Sequence, residues 1–542
     1  MKRSSKTKPC YIVITGGVVS GSGKGITAAS IGACLKARQF QVNIQKFDMY
    51  LNVDAGTLKP GKHGEVFVTV DGAETDLDLG HYERFLDVEF NQSNSVMQGA
   101  VLKEIIEKER AGDFLGDDIQ VIPHVTSFIQ DKIVSIAKGF DVHIVELGGT
   151  IGDYEGLAFV EATRQLADRV GRDRILYVHV VYLPYLQTSG EVKTKPAQNS
   201  VRDLRSIGII PDILVARCET KANHQQLRQK LNLFTGIEKE KIGILENAQS
   251  VYQVPLILEK QNITPYIASW LGKSPKANLS VWRNIVRRAI KTYHRPVKIG
   301  MIAKYLDNLD TYHSLIEAMK AAAWTTQVDL ELVWVDAKNL ENLSSSETVL
   351  ELMKFDGILI PGGFGERGIN GMIQAATYAI HNNVPYLGIC LGMQIMTIAY
   401  ARLHGLSQAN SKEFDPKGQQ LVITYLEGQK DLYMTGGTMR LGSYECHLKK
   451  GSQARQIYNQ SLIKERHRHR FEFNPEYTQH LESAGLQISG ICPENKLVEI
   501  VEIPQQNFMI GCQFHPEFSS RPMNPHPLIV AFLRAVKKSV VI

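Results

Sequence analysis

Short strand-like runs rich in Val and Ile alternate with longer helix-compatible stretches along most of the chain. The first set of runs is Tyr11 to Thr15, Val42 to Lys46, Val142 to Leu147, Ile175 to Tyr182 and Ile213 to Ala216, separated by helix-compatible residues such as Thr27 to Arg38. Runs of this kind read as strands, and their alternation with helices predicts a parallel sheet covered by helices. The texture changes between Leu271 and Pro296. A turn, Gly272-Lys273-Ser274-Pro275-Lys276, leads into a short amphipathic piece containing Trp282, then the basic Arg287-Arg288 and Lys291. Alternation restarts with Lys298 to Ala303, Leu330 to Val335, Gly357 to Ile360 and Pro385 to Ile389, and helical periodicity follows from Leu391 to Leu403. The pattern predicts an α/β domain over 1–272, an interdomain linker over 273–297 and a second α/β domain over 298–542.

Composition narrows the class. A chain of 542 residues is too long for one ordinary core, given roughly 150 residues per domain. The 44% hydrophobic and 22% charged content is that of globular domains. A net charge of +5, from 61 basic and 56 acidic residues, is small for this length and argues against nucleic-acid or membrane binding. The seven cysteines are odd in number and scattered, without a CxxC pair, which argues against a disulfide framework or zinc site. No signal-like apolar region follows the basic start, and no run approaches the ~18 apolar residues of a membrane span. These features predict a soluble protein of the reducing cytoplasm.

After the first run comes Thr15-Gly16-Gly17-Val18-Val19-Ser20-Gly21-Ser22-Gly23-Lys24-Gly25-Ile26-Thr27, leading into a helix. Glycines let backbone N–H groups approach a polyphosphate, the helix start adds favourable potential, and Lys24 adds a mobile positive charge. The sequence departs from the usual phosphate loop. Its leading glycine is displaced by one residue, and Gly25 stands where a Ser or Thr would touch magnesium. Acids must then hold the metal, and Asp76, Asp78 and Glu146, the last before the turn Gly148-Gly149-Thr150, are the candidates. Asp153 and Glu155 follow the same turn. Between Gly190 and Pro196, Lys193 and Lys195 are expected on one side of an extended segment, suited to a second polyphosphate.

A second chemistry is written at Cys390. The strand-like run before it and the helical run after it place this cysteine on a tight strand-to-helix turn flanked by Gly388 and Gly392. Such a turn exposes the sulfur, and the new helix end favours the thiolate. His515 and Glu517, far downstream, have the types and spacing of a base and its orienter.

Several longer motifs identify a relationship: Gly64 to Val68, Asp71 to Phe85, Gln120 to His124, Pro361 to Gly365 and Glu465 to Arg470. With these, the chain resembles the CTP synthase family over essentially its full length. The resemblance implies a P-loop-type, parallel-sheet synthetase domain followed by a class I glutamine amidotransferase domain. It implies ATP-dependent amination of UTP through a 4-phosphorylated intermediate, with ammonia from glutamine, as the last step of de novo CTP synthesis.

Mapped by motif, ATP falls to Ser20, Gly21, Ser22, Gly23, Lys24, Gly25, Ile26, Asp78 and Arg217, with magnesium on Asp78 and Glu146. The pyrimidine nucleotide falls to Ser20, Lys46, Gln120, Asp153, Tyr154, Glu155, Lys193, Thr194, Lys195 and, across a subunit interface, Lys230. Glutamine falls to Gly362, Gly363, Leu391, Gly392, Met393, Gln394, Glu413 and Arg470, with Gly362 and the Leu391 N–H as oxyanion hole. GTP activation with Gly436 to Gly442 as a mobile lid, CTP feedback inhibition and a homotetramer are implied likewise. Departures from the family pattern are Ser22 for Leu, Met49 and Ala55 for Pro, Ala303 for Gly, and a lost Thr-Thr-Gly pattern near Asn94 to Gly99. Two other readings compete: a nucleotide-binding scaffold that has lost synthesis, and a P-loop ATPase that amidates a cobalamin-type carboxylate. The second lacks an explanation for the uridine-site motifs.

Overall fold

A computed structural model describes residues 8–272, 276–426 and 437–540. Lys273, Ser274 and Pro275 of the expected linker, and Gly436 of the expected lid, lie outside the described residues. The chain forms two compact units, one of residues up to Asp54 plus Asp78–Ile290, the other of Ala55–Leu77 plus the chain from Lys291 onward.

The first unit is built on β1 (Cys10–Gly17), α1 (Lys24–Lys36), β2 (Val42–Asp48), α2 (Asp78–Leu86), β3 (Ser95–Met97), β4 (Val142–Leu147), β5 (Ile175–Tyr182), α3 (Lys195–Ser206), β6 (Ile213–Cys218), α4 (His224–Thr235), β7 (Ile242–Glu246) and α5 (Ser280–Ala289). Its seven strands run parallel in the order β7-β6-β5-β1-β4-β2-β3. Helices cover both faces, so β1 and β4 are buried along nearly their whole length, the polar His143 and Glu146 of β4 included. The chain builds outward from β1 to β2 and β3, then returns with β4 and continues on the far side of β1 with β5. Growth of the sheet therefore reverses beside β1 and β4, the place where ligands sit at the carboxyl ends of open α/β sheets. In register, Glu146 of β4 lies between Ile14 of β1 and Lys46 of β2.

The second unit contains β8 (Pro296–Ala303), β9 (Asp329–Asp336), β10 (Gly357–Ile360), β11 (Tyr386–Ile389), α6 (Leu391–Leu403), β12 (Arg440–Leu448), β13 (Leu462–His469), β14 (Gln487–Ile491), β15 (Val498–Glu502) and β16 (Met509–Cys512). Its nine-stranded sheet runs β9-β8-β10-β11-β16-β15-β14-β12-β13. The strands from β9 to β16 pair in parallel, and the four beyond are antiparallel.

The structure differs from the sequence reading in three places. Residues Ala55–Leu77 leave the first unit and pack within the second, where the hairpin Phe67–Val68 with Glu74–Thr75 is anchored by backbone. Ser443 N–H donates to Val70 O (2.9 Å) and the Arg466 guanidinium donates to Val68 O (3.1 Å). The presumed linker contains α5, whose Trp282 is buried and packs 5.1 Å from the Phe85 ring, so this segment belongs to the first core. Lys193 and Lys195 do not share an extended segment. Thr194 has right-handed helical backbone and α3 begins at Lys195, with Pro196 in its first turn, where a missing N–H costs nothing.

Candidate active sites

In the first unit the residues after β1 form an open loop with positive φ at Val18 (80°), Gly21 (72°) and Gly23 (94°). The glycines leave room for charged side chains. A Cβ on Gly16 would lie 2.5 Å from Lys24 Cδ, and one on Gly25 would lie 2.1 Å from Asp78 Oδ1. Gly25 thus replaces the expected hydroxyl residue because a carboxylate from α2 occupies that space. Lys24 donates to Gly149 O (2.7 Å), which ties the loop to the turn after Glu146. Arg217, at the end of β6, donates to Gly21 O (2.9 Å). Behind the loop, His179 bridges Thr15 and Ser200 at 2.8 Å to each, linking β1 to α3.

Lys46 contacts Asp78 and lies 3.5 Å from Asp48. Burial pushes the Asp78 carboxyl up, but Lys46, His81 and Lys24 outweigh it and hold the group below the usual carboxylate range. Glu146 moves the other way. Burial and the neighbouring Asp78 charge raise its pKa against the opposing pull of Lys46, and it accepts a hydrogen bond from Tyr82. Among the described residues no three His, Cys, Asp or Glu side chains form a self-contained metal site. Two carboxylates that influence each other fit magnesium, which usually takes one or two protein carboxylates and completes its shell with water and phosphate.

Several other expected residues make local contacts. Asp153 accepts from the N–H and hydroxyl of Thr150 (2.8 Å each), close after the Gly149 turn. Tyr154 is 88% exposed. Gln120 donates to Asp118 (2.9 Å), Lys193 contacts Glu191, and Lys230 lies exposed on α4.

In the second unit Cys390 sits between β11 and α6 with φ 53° and ψ −103°, a strained backbone for a residue with a side chain. Its N–H donates to Cys512 O (2.7 Å) on the neighbouring strand β16. Just beyond that strand, His515 Nδ1 pairs with Glu517 Oε1 at 2.7 Å. This leaves His515 Nε2, buried and without a hydrogen bond of its own, for the sulfur. Burial alone would depress the His515 pKa, yet Glu517 and the Cys390 sulfur raise it to about 10. The imidazole therefore carries its proton at neutral pH, where it can support a neighbouring negative charge and later give the proton up. A Cβ on Gly362 would lie 2.8 Å from His515 Cε1 and 3.6 Å from Cys390 Cβ, so the turn after β10 must be glycine to approach both.

The pocket over Cys390 is lined by Gly362, Gly363, Phe364, Arg468 and His515, and by Pro60, Glu65 and Val66 of the inserted segment. Glu413 accepts from Gly365 N (2.6 Å) and so holds the glycine turn. Arg470 donates to Thr438 Oγ1 (2.8 Å). Gln394 is buried, with its amide nitrogen donated to Phe471 O (3.1 Å) and Gln513 Oε1 (3.2 Å).

Sequence reasoning missed Lys304, Gln513 and Arg468. Lys304 is buried against the carbonyls of Phe364 and Gly365, and burial lowers its pKa to about 8. Gln513, two residues before His515, carried a signal in its place on the same strand end.

Residues 10–272 match the family model for the CTP synthase N-terminus, and residues 307–535 match that for class-I glutamine amidotransferase. A CTP synthase of Staphylococcus saprophyticus is 47% identical over 530 residues, covering 97% of this chain and 98% of that protein. The chain belongs to the CTP synthase family. A second CTP synthase, from Caldanaerobacter subterraneus, is 48% identical over 531 residues, 97% of this chain and 98% of its own. The solved glutaminase domain of Trypanosoma brucei CTPS with bound acivicin is 38% identical, covers 45% of this chain and 94% of that one, and has a TM-score of 0.42. Of the departures from the CTP synthase pattern, Met49 packs where Gly149 and Gly156 lack side chains. A Cβ on Gly149 would lie 2.1 Å from its Cε. Among the described residues no helix is long and apolar enough to cross a membrane.

Proposed function

We propose that the chain makes CTP from UTP, ATP and glutamine in the cytoplasm, as the last step of de novo CTP synthesis. The observation that carries this reading is the pairing, in one chain of the CTP synthase family, of a prearranged Cys390, His515 and Glu517 with a phosphate loop whose Lys24 stands beside Asp78 and Glu146.

Glutamine hydrolysis begins as the Cys390 thiolate attacks the carboxamide carbon. Gly362 and the Leu391 N–H face the developing oxyanion, a contribution of about 3 kcal/mol per donor in comparable sites. His515 returns a proton to the departing nitrogen, the C–N bond breaks, and ammonia leaves a glutamyl thioester. Water, deprotonated by His515, then releases glutamate and restores the sulfur. Gly363, Gly392, Met393, Gln394, Glu413 and Arg470 shape and hold the glutamine site.

In the first unit, O4 of UTP attacks the γ-phosphorus of ATP and ADP leaves. Ammonia adds at C4, phosphate is expelled and a proton is lost, giving CTP. Magnesium would be held by Asp78 and Glu146 and would supply charge neutralisation at the phosphates. Lys24 neutralises the transferring phosphoryl, the N–H groups of Ser20 to Ile26 cradle the triphosphate, and Arg217 fixes the loop carrying it. Lys46, Gln120, Asp153, Tyr154, Glu155, Lys193, Thr194 and Lys195, with Lys230 of a neighbouring subunit, hold UTP or the inhibitor CTP. GTP as activator, acting at the lid ending in Gly442, and a homotetramer complete the reading.

The test is CTP formation by purified protein from UTP and magnesium-ATP, with glutamine or ammonium chloride as nitrogen source, with and without GTP. Synthesis with both sources is expected. Absence of CTP even with ammonium would overturn the reading, and a carboxylate acceptor run in parallel separates the competing carboxylate-amidating chemistry.

A further inference from the structure

Beside the Cys390, His515 and Glu517 set, one more polar side chain reaches the sulfur. Gln513 is fully buried, and its Nε2 lies 3.6 Å from Cys390 Sγ, within range of a hydrogen bond to sulfur. Its amide orientation follows from its neighbours. Phe471 O can only accept, so Gln394 must turn its nitrogen toward that carbonyl (3.1 Å). The same nitrogen lies 3.2 Å from Gln513 Oε1, so the Gln513 oxygen faces Gln394. The remaining end of the Gln513 amide, its N–H₂, is left facing the sulfur. The Gln513 N–H is itself fixed, donating to Glu499 O at 2.8 Å.

From this relay we infer that Gln513 is a functional amide donor to the Cys390 thiolate, a role that rests on the glutamine-hydrolysing reading above and adds a residue to it. The sulfur has one acceptor and two donor-type neighbours. Arg468 O, 3.8 Å away, accepts from the thiol and favours the protonated form. Gln513 and protonated His515 favour the thiolate. In a buried site an N–H···S bond is worth more to a charged sulfur than to a neutral one, so losing it shifts the equilibrium toward the unreactive thiol.

Other charged or titratable groups here are Glu517 on His515, Cys512 at the end of β16, the Arg468 side chain, which is paired with Glu74 at 2.9 Å, and His467 and His469, which burial keeps neutral. Glu499 lies one step further, bonded to Arg440 (2.8 Å). None of these donates to the sulfur in the place of Gln513.

The test is the pH dependence of Cys390 alkylation by iodoacetamide in the full-length protein, with the site confirmed by mass spectrometry and the fold by thermal melting. Gln513→Met keeps the volume and removes the donor. Gln513→Glu keeps the shape and places an acceptor against the sulfur. Both are expected to raise the alkylation midpoint, Met by about one pH unit and Glu by more, and below the wild-type midpoint glutamine hydrolysis should fall about tenfold or further. Gln394→Met, which frees the Gln513 amide to turn, should give a smaller shift in the same direction. An unchanged midpoint in folded Gln513→Met and Gln513→Glu overturns the inference. Because alkylation needs neither UTP nor ATP, the result stands apart from the outcome of the CTP-forming assay.

Discussion

The phosphate loop and the cysteine turn occupy equivalent places, each joining a central parallel strand to the helix that follows, yet their backbones are used in opposite ways. In the loop after β1, two of the three left-handed positions are glycines, Gly21 and Gly23, and further glycines at 16 and 25 make room for Lys24 and Asp78. At the turn after β11 the left-handed residue is the reactive one, Cys390 itself, while the glycines beside it only allow close packing. A Cβ on Gly392 would lie 2.0 Å from Ile360 O. A loop that receives a polyphosphate offers backbone N–H groups and leaves space. A nucleophile must instead be held forward by its surroundings, at a cost of about 1–3 kcal/mol of backbone strain. Their electrostatics differ in the same sense. Asp78 is balanced by the buried ammonium of Lys46, which also lies near Asp48, whereas His515 is held by one directional bond to Glu517 beside the sulfur.

The largest effect that would break this comparison belongs to the sulfur. Cys390→Ala is expected to reduce glutamine-dependent CTP formation to background, while ammonium-dependent formation stays within about twofold, because only the first route passes through a thioester. Equal loss with both nitrogen sources would mean that the two sites are not chemically separate. A smaller effect is expected in the phosphate loop. Gly25→Ser restores the hydroxyl usual in such loops, but its Cβ would lie 2.1 Å from Asp78 Oδ1 and displace that carboxylate. CTP formation should fall about tenfold to a hundredfold with either nitrogen source, and the magnesium concentration needed for half-maximal rate should rise. Wild-type rates in Gly25→Ser would show that the position of Asp78 does not matter.

The two regions were also unequally legible in the sequence. The parallel strands of the first unit are short runs rich in Val and Ile, and the pairing of their chemistry-bearing ends, Lys46 and Glu146 in register, follows from sheet topology once the strands are placed. The strand-to-helix turn at Cys390 was equally plain, because both flanking elements have their own period. The antiparallel half of the second sheet was not legible. β13 reads Leu-Ile-Lys-Glu-Arg-His-Arg-His, and the polar side chains of Glu465, Arg466 and His467 are buried by pairing rather than by hydrophobicity. The destination of Ala55–Leu77 was hidden for a related reason. Its anchoring includes backbone hydrogen bonds and the ion pair of Glu74 with Arg468, made between residues far apart in sequence. Gln513 escaped notice because its function depends on which way an amide faces, and that is fixed only by Gln394 and Phe471.

The smallest expected effect sharpens the comparison most closely, because it leaves every reacting group in place. The Phe518 ring stacks on the His515 imidazole, with centroids 5.0 Å apart at 19°, and meets Phe67 of the inserted hairpin edge-on at 5.1 Å. Phe518→Leu removes both ring contacts from a buried position, which should lower stability by about 1 kcal/mol. If packing rather than ligand orders the thiol site, the imidazole should also lose definition, and glutamine hydrolysis should drop about threefold. Behind the phosphate loop, Ile14→Val in buried β1 removes one methylene and should lower stability by about 1 kcal/mol. There the rate with ammonium should not change if bound nucleotide, rather than packing beneath it, orders the loop. A destabilised Phe518→Leu protein that hydrolyses glutamine at the wild-type rate would show that Glu517 alone orients His515. A rate loss in Ile14→Val of the same size would erase the distinction between a packed site and a ligand-ordered one.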